Sequence, residues 1–149
     1  MKPLAYHLTW HTHMTHLPGS EKGWVRRGGG GIRPPDERIK LQAELASDAE
    51  PVVLTSEQRA AVAEQIRETC AIRGWTIHAL NVRTTHVHVV VTADAAPERV
   101  MEQLKAWASR RLNRLTGGKG HWWVYHGSTK WINDPGYLQN AITYVTELQ

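Results

Sequence analysis

The run His86-Val87-His88-Val89-Val90-Val91-Thr92 constrains the fold more than any other stretch of this chain. Apart from its two histidines every residue is β-branched, and such a run has one comfortable conformation, the extended strand. Alternation puts His86, His88 and Val90 on one face and Val87, Val89 and Val91 on the other. The valine face requires an apolar cover, and two amphipathic helices are available to give it. Residues Thr55 to Arg73 open with a capping box, Thr55 with Gln58 three positions on, and Val62, Ile66, Thr69/Cys70 and Arg73 trace a stripe. Pro97 opens a second helix to about Leu115, with Val100, Leu104, Trp107/Ala108 and Leu115 toward the core. The two imidazoles of the strand then point together, away from that cover.

The remaining elements follow from the same rules. Leu4 to His13 alternates as a strand, with Leu4, Tyr6, Leu8 and Trp10 on one face and His7, Thr9, His11 and His13 on the other. Trp75 to Arg83 is a strand joined to the His-Val-His strand by a tight turn at Thr84-Thr85, and Trp122 to Ile132 is a further strand. Asn133-Asp134-Pro135 caps a last helix from Pro135 to about Leu148, with Leu138, Ala141/Ile142, Val145 and Leu148 as its stripe. Residues 18–35 are rich in Gly and Arg and include four consecutive glycines, which predicts a flexible loop. No Gly-Lys-Ser/Thr follows them, so this is not an NTPase phosphate loop. Segment 36–50 reads as a short helix. The order is β-α-β-β-α-β-α. Without its last helix it is the split βαβ order of a ferredoxin-like fold, an α+β sandwich of an antiparallel sheet with helices on one face. Residues 1–149 read as one domain without internal repeats.

Composition narrows the function. With 41% hydrophobic and 21% charged residues the chain is globular rather than disordered. The lone Cys70 allows no internal disulfide and no cysteine-based zinc site, and reads as a buried helix residue. No apolar run is long enough for a membrane span, and Met1-Lys2-Pro3-Leu4 leads straight into alternation rather than a signal-peptide core. The expected compartment is the cytoplasm. The net charge is +4 and unevenly spread. Between 99 and 130 stand Arg99, Lys105, Arg110, Arg111, Arg114, Lys119 and Lys130 against Glu102 alone, whereas 41–72 is acidic. Charge by itself leaves a polyanion partner open against the ordinary alternative of a solvated helix face. Trp10 and Trp107 fall on apolar stripes and are expected in the core. Of Trp122-Trp123 at most one can be buried, and Trp24 is the one expected to be exposed.

Two features carry chemistry. Neutral imidazoles at i and i+2 on one strand face suit a shared divalent ion, although a half-exposed strand also accepts histidines without one. Tyr144, on the last helix, is either core or a nucleophile, since a phenol can attack a polarised phosphodiester. Tyr137, two turns earlier on nearly the same face, is the rival.

Taken together, the ferredoxin-like order, His86-Val87-His88 and a tyrosine helix after the fourth strand resemble the single-tyrosine HUH transposases. This group moves bacterial insertion sequences as single strands and includes the REP-associated tyrosine transposases. Tyr6-His7-Leu8-Thr9-Trp10 is similar to the family's first strand, and Leu17-Pro18-Gly19 with Gly23-Trp24-Val25-Arg26 to the loop after it. Trp75 through Val91, with Leu80-Asn81-Val82-Arg83, is the nearest match. Leu104-Lys105-Ala106-Trp107-Ala108, His126-Gly127-Ser128-Thr129 and Tyr144-Val145 complete it. The resemblance implies a Mg²⁺- or Mn²⁺-dependent nuclease and strand-transferase acting on single-stranded DNA beside a hairpin, working near the bacterial nucleoid. It assigns His86 and His88 to the metal and Tyr144 to the attack that forms a 5′-phosphotyrosine. The family's third ligand stands about one turn past the tyrosine. Leu148 cannot ligate, so Gln149 is the first choice and Glu147 the alternative. Lys105, Arg110, Arg111 and Arg114, with Arg26 and Arg27 in the loop, would hold DNA phosphates. Family members occur as homodimers and as monomers, and the chain has no heptad seam to decide between them. The competing expectation is a domesticated or inactive hairpin-binding module of the same fold.

Overall fold

The computed structural model describes residues 2–14, 24–25, 32–33 and 51–147, the two short pieces as backbone only. The segment 36–50, most of the Gly/Arg-rich stretch with Arg26 and Arg27, and Leu148 and Gln149 lie outside the described residues, as does the Trp24 side chain. The elements are β1 (Ala5–Thr12), β2 (Trp24–Val25), β3 (Ile32–Arg33), α1 (Ser56–Arg73), β4 (Thr76–Val82), β5 (His86–Thr92), α2 (Pro97–Thr116), β6 (Trp123–Ile132) and α3 (Pro135–Glu147). Within the Gly/Arg-rich stretch, β2 and β3 pair as a short antiparallel ribbon.

The main sheet has the order β4-β5-β1-β6, antiparallel throughout. β1 and β4 are therefore parallel with β5 between them, and β5 and β6 are parallel with β1 between them. These are two interlocked split βαβ units, the ferredoxin-like arrangement expected from the element order.

Alternation decides what each face carries. Val87, Val89 and Val91 of β5 join Tyr6, Leu8 and Trp10 of β1 under α1 and α2, which contribute Val62, Ile66, Cys70, Val100, Leu104, Ala108 and Leu112. The three valines are wholly removed from water, each worth roughly 1.5–3 kcal/mol in transfer terms. The opposite face holds a second, smaller core. There Ala141 and Val145 of α3 pack on Ala5, Ala79, Val90 and Ile132. The sheet thus has two helices on one face and the C-terminal helix on the other.

Local chemistry sets the helix ends. Thr55 Oγ1 accepts from the Gln58 amide at 3.1 Å and Gln58 Oε1 accepts from the Thr55 amide at 2.9 Å, completing the box that starts α1. Gly74 and Gly117 end α1 and α2 at φ 75° and 72°, a left-handed conformation that a side chain disfavours. Asp134 Oδ1 accepts from the Tyr137 amide at 2.9 Å at the start of α3.

Two core expectations on α2 are corrected. Trp107 is 39% exposed and Leu115 40% exposed. Trp107 stands at the edge of the buried stripe, with the Arg110 guanidinium 4.6 Å from its ring centroid. Leu115 lies nearly one turn past Leu112, the last α2 residue in the core. Trp10 and Trp123 are buried, and Trp122 is half-buried. No helix among the described residues is long and apolar enough to cross a membrane.

Candidate active site

Sheet register builds the site. Thr9 on β1 stands opposite His88 on β5, and His11 opposite His86. His7, two residues before Thr9, shares their face and pairs across its other side with Lys130 of β6. The histidines of two adjacent strands thereby form one cluster on the α3 face. Ring centroids are 4.9 Å apart for His86 and His88, 5.4 Å for His7 and His88, and 5.3 Å for His11 and His86.

The cluster is neutral at its centre. Burial, with His86, His7, His11 and Arg83 nearby, pushes His88 down to about 4. Burial and the Lys130 ammonium likewise lower His7. A metal ligand must present a lone pair, so a His88 that stays neutral at pH 7 suits that task. His86 and His88, side by side on one strand face, offer two imidazole donors, a set that fits a divalent cation.

α3 brings a tyrosine to the cluster. Burial of Ala141 and Val145 seats the helix, and Asn81 Nδ2 of β4 donates to the Val145 carbonyl at 3.1 Å. The half-exposed Tyr144 ring lies edge-on to His88 at 5.9 Å and to His7 at 6.1 Å between centroids. Tyr137 sits beside the N-terminal cap, seven residues and about 10 Å of helix axis away. Glu147 ends α3 and is exposed. Among the described residues no three His, Cys, Asp or Glu side chains converge as a metal cage, so Glu147 does not complete one with His86 and His88.

The basic residues of α2 lie across the sheet from the histidines, and two of them have internal partners. Lys105 Nζ donates to the carbonyls of Val124 at 2.7 Å and Tyr125 at 3.3 Å. Arg111 pairs with Glu64 at 2.9 Å and more loosely with Glu68 at 3.9 Å, tying α2 to α1. Arg110 covers Trp107, and Arg114 is exposed. A groove of about 840 Å³ runs between α2 and β6, lined by Met101, Lys105, Trp122, Tyr125 and His126 among others. It is not the histidine site: none of His7, His11, His86 and His88 lines it.

The histidines of β1 are what sequence reasoning missed. Their face was evident from alternation. Their partnership with His86 and His88 depends on which strands are neighbours and in which register, and a single sequence does not show that.

The family model described as IS200-like transposase matches residues 40–134, a span that holds His86 and His88 and stops short of Tyr144. No curated protein sequence matches the chain. A crystal structure of a Deinococcus radiodurans R1 protein assigned as a transposase is similar at a TM-score of 0.57 with 17% identity, covering 94% of this chain and 87% of that one. The structure of a REP-associated tyrosine transposase bound to a REP hairpin is similar at 0.56 with 13% identity, covering 97% of this chain and 66% of that one.

Proposed function

This chain belongs to the IS200-like transposase family, and on that premise we propose that it cleaves and rejoins single-stranded DNA beside a hairpin, with Tyr144 as nucleophile. The observation that carries this is the position of the Tyr144 ring edge-on beside His88 and His7 of the same chain. The proposed nucleophile and the histidine pair then come from one chain.

His86 and His88 would hold a Mg²⁺ or Mn²⁺ ion, which when bound supplies positive charge at the scissile phosphate. Tyr144 Oη gives up its proton and bonds to phosphorus, and the bond from phosphorus to the 3′ oxygen breaks. The departing oxygen takes a proton and leaves as a 3′-OH. The DNA remains joined to the protein through a 5′-phosphotyrosine. Attack by another 3′-OH reverses each change and joins strands. One phosphodiester replaces another, so no ATP is consumed. Gln149 remains the proposed third ligand.

The neighbour bound to a REP hairpin supports a hairpin as the recognised element here. Arg110 and Arg114 would carry phosphate contacts along α2, together with Arg26 and Arg27. Lys105 and Arg111, turned to partners inside the fold, contribute less. Tyr125, 88% exposed on β6, offers a face on which an unpaired base could stack.

Incubation with a hairpin-tailed single-stranded oligonucleotide and Mn²⁺ tests the proposal. Cleavage with a covalent protein–DNA band is expected. His86→Ala and His88→Ala should abolish both while leaving hairpin affinity within a few-fold. Tight hairpin binding without cleavage would establish the binding-module alternative instead.

A further inference from the structure

The two site histidines present their ring nitrogens unequally. His88 Nδ1 lies 3.1 Å from Thr9 Oγ1 and 3.2 Å from His7 Nε2. His86 Nδ1 lies 3.4 Å from Thr85 Oγ1. Among the described residues, these contacts of the two rings all fall on Nδ1. A neutral imidazole has one proton for two nitrogens, so its partners decide which nitrogen keeps a lone pair. A proton held on Nδ1 leaves Nε2 as the donor atom. A proton on Nε2 closes that atom to any cation.

We propose that Thr9 and His7 are positioning residues that hold the His88 proton on Nδ1 and so reserve its Nε2 for a divalent cation. This rests on His86 and His88 being the metal ligands. The sheet itself delivers the two acceptors. Thr9 is the direct cross-strand partner of His88, and His7 is the next residue of β1 on the same face. His7 and His88 are both buried, where a hydrogen bond is little disturbed by water. A one-residue slip of β1 would turn both acceptors to the α1/α2 face. Thr9 accepts through its hydroxyl oxygen. His7 accepts through the Nε2 lone pair, its own proton lying on Nδ1. Partners of this kind fix ring orientation and tautomer of a ligating histidine, and their removal typically costs about 10–100-fold in metal affinity.

Titration of the protein with Mn²⁺ alone, followed by electron paramagnetic resonance, gives the first test. Thr9→Val keeps the side-chain shape and removes one acceptor; His7→Phe keeps a ring and removes the other. The double variant should bind Mn²⁺ roughly 10–100-fold more weakly. Thr9→Ser and His7→Gln, which retain acceptors, should stay within a few-fold of wild type. Unchanged affinity in the double variant, where His88→Ala still abolishes binding, overturns the proposal and leaves the metal site standing. A loss in His7→Phe that His7→Gln shares also overturns it, because the effect would then be one of shape. Binding indifferent to His88→Ala removes the metal site itself. A long-range ¹H–¹⁵N spectrum of the metal-free protein reads the tautomer directly and needs no variant. The His88 proton is expected on Nδ1, and its presence on Nε2 overturns the proposal whatever the metal does.

Discussion

Replacing Gly127 with alanine isolates one close approach on which the site depends. Gly127 lies on β6 opposite Trp10 of β1. A Cβ built there would stand 2.7 Å from the Thr9 carbonyl oxygen, 2.6 Å from Met101 Sδ and 2.8 Å from Met101 Cε. All three distances are several tenths of an ångström inside ordinary van der Waals contact. The methionine is flexible and can yield. The carbonyl belongs to a central strand and cannot move without disturbing the β1–β6 ladder. Overpacking of this kind costs about 1–3 kcal/mol, and a backbone obstacle favours the upper half of that range. For a chain of this size that is a fall in Tm of about 5–10 °C. Thermal unfolding by circular dichroism measures it. In a Met101→Ala background the added alanine should still lower Tm, by roughly half as much, because only the carbonyl contact remains. Any displacement of Thr9 also moves the hydroxyl beside His88, so Mn²⁺ affinity should fall in parallel. A Gly127→Ala protein melting at the wild-type temperature would refute the reasoning. A cost that disappears entirely once Met101 is trimmed would show that the Thr9 carbonyl yields freely.

Other substitutions separate fold from function. Lys105→Met should lower stability by about 1.5–3 kcal/mol, the usual worth of hydrogen bonds from a charged group, because Lys105 tethers α2 to β6; chemical denaturation reads this. Arg114→Ala should leave the denaturation midpoint unchanged, weaken hairpin affinity and reduce its salt slope by about 1, as measured by fluorescence anisotropy at several ionic strengths. Asn81→Ala removes the bond to the Val145 carbonyl, which is worth about 1 kcal/mol, and should lower the yield of covalent adduct while Mn²⁺ affinity holds. Burial pushes the Cys70 thiol up to about 11 from 9.0. The folded state therefore retains a proton that the unfolded chain releases between those values, and stability falls as pH rises through that window. Melting scans from pH 8 to pH 11 should show a shallower loss in Cys70→Ala than in wild type.

Much of this arrangement was legible in the sequence because it follows from local rules. Alternation alone assigned the valines of β5 to one core and His86 and His88 to the other face. The Thr55–Gln58 box and Pro97 marked where α1 and α2 begin. Trp107 and Leu115 escaped because helical periodicity gives the direction of a side chain and not the width or length of the surface beneath it. The roles of Lys105 and Arg111 escaped for a related reason. A basic residue reads as available for DNA until the fold brings a carbonyl or a carboxylate to it. His7 and Thr9 needed the strand order β4-β5-β1-β6, which rests on contacts between residues some 80 positions apart.

The central claim is that Tyr144, lying beside His88 and His7, is the residue that attacks DNA. It is tested most directly by locating the covalent link. The adduct formed with a hairpin-tailed oligonucleotide and Mn²⁺ would be trimmed with nuclease and digested with trypsin. Cleavage after Lys130 releases a stretch that carries both Tyr137 and Tyr144, and tandem mass spectrometry distinguishes them. The expected result is a nucleotide remnant on Tyr144, absent from the Tyr144→Phe protein. A remnant on Tyr137, or on any other residue, would contradict the claim.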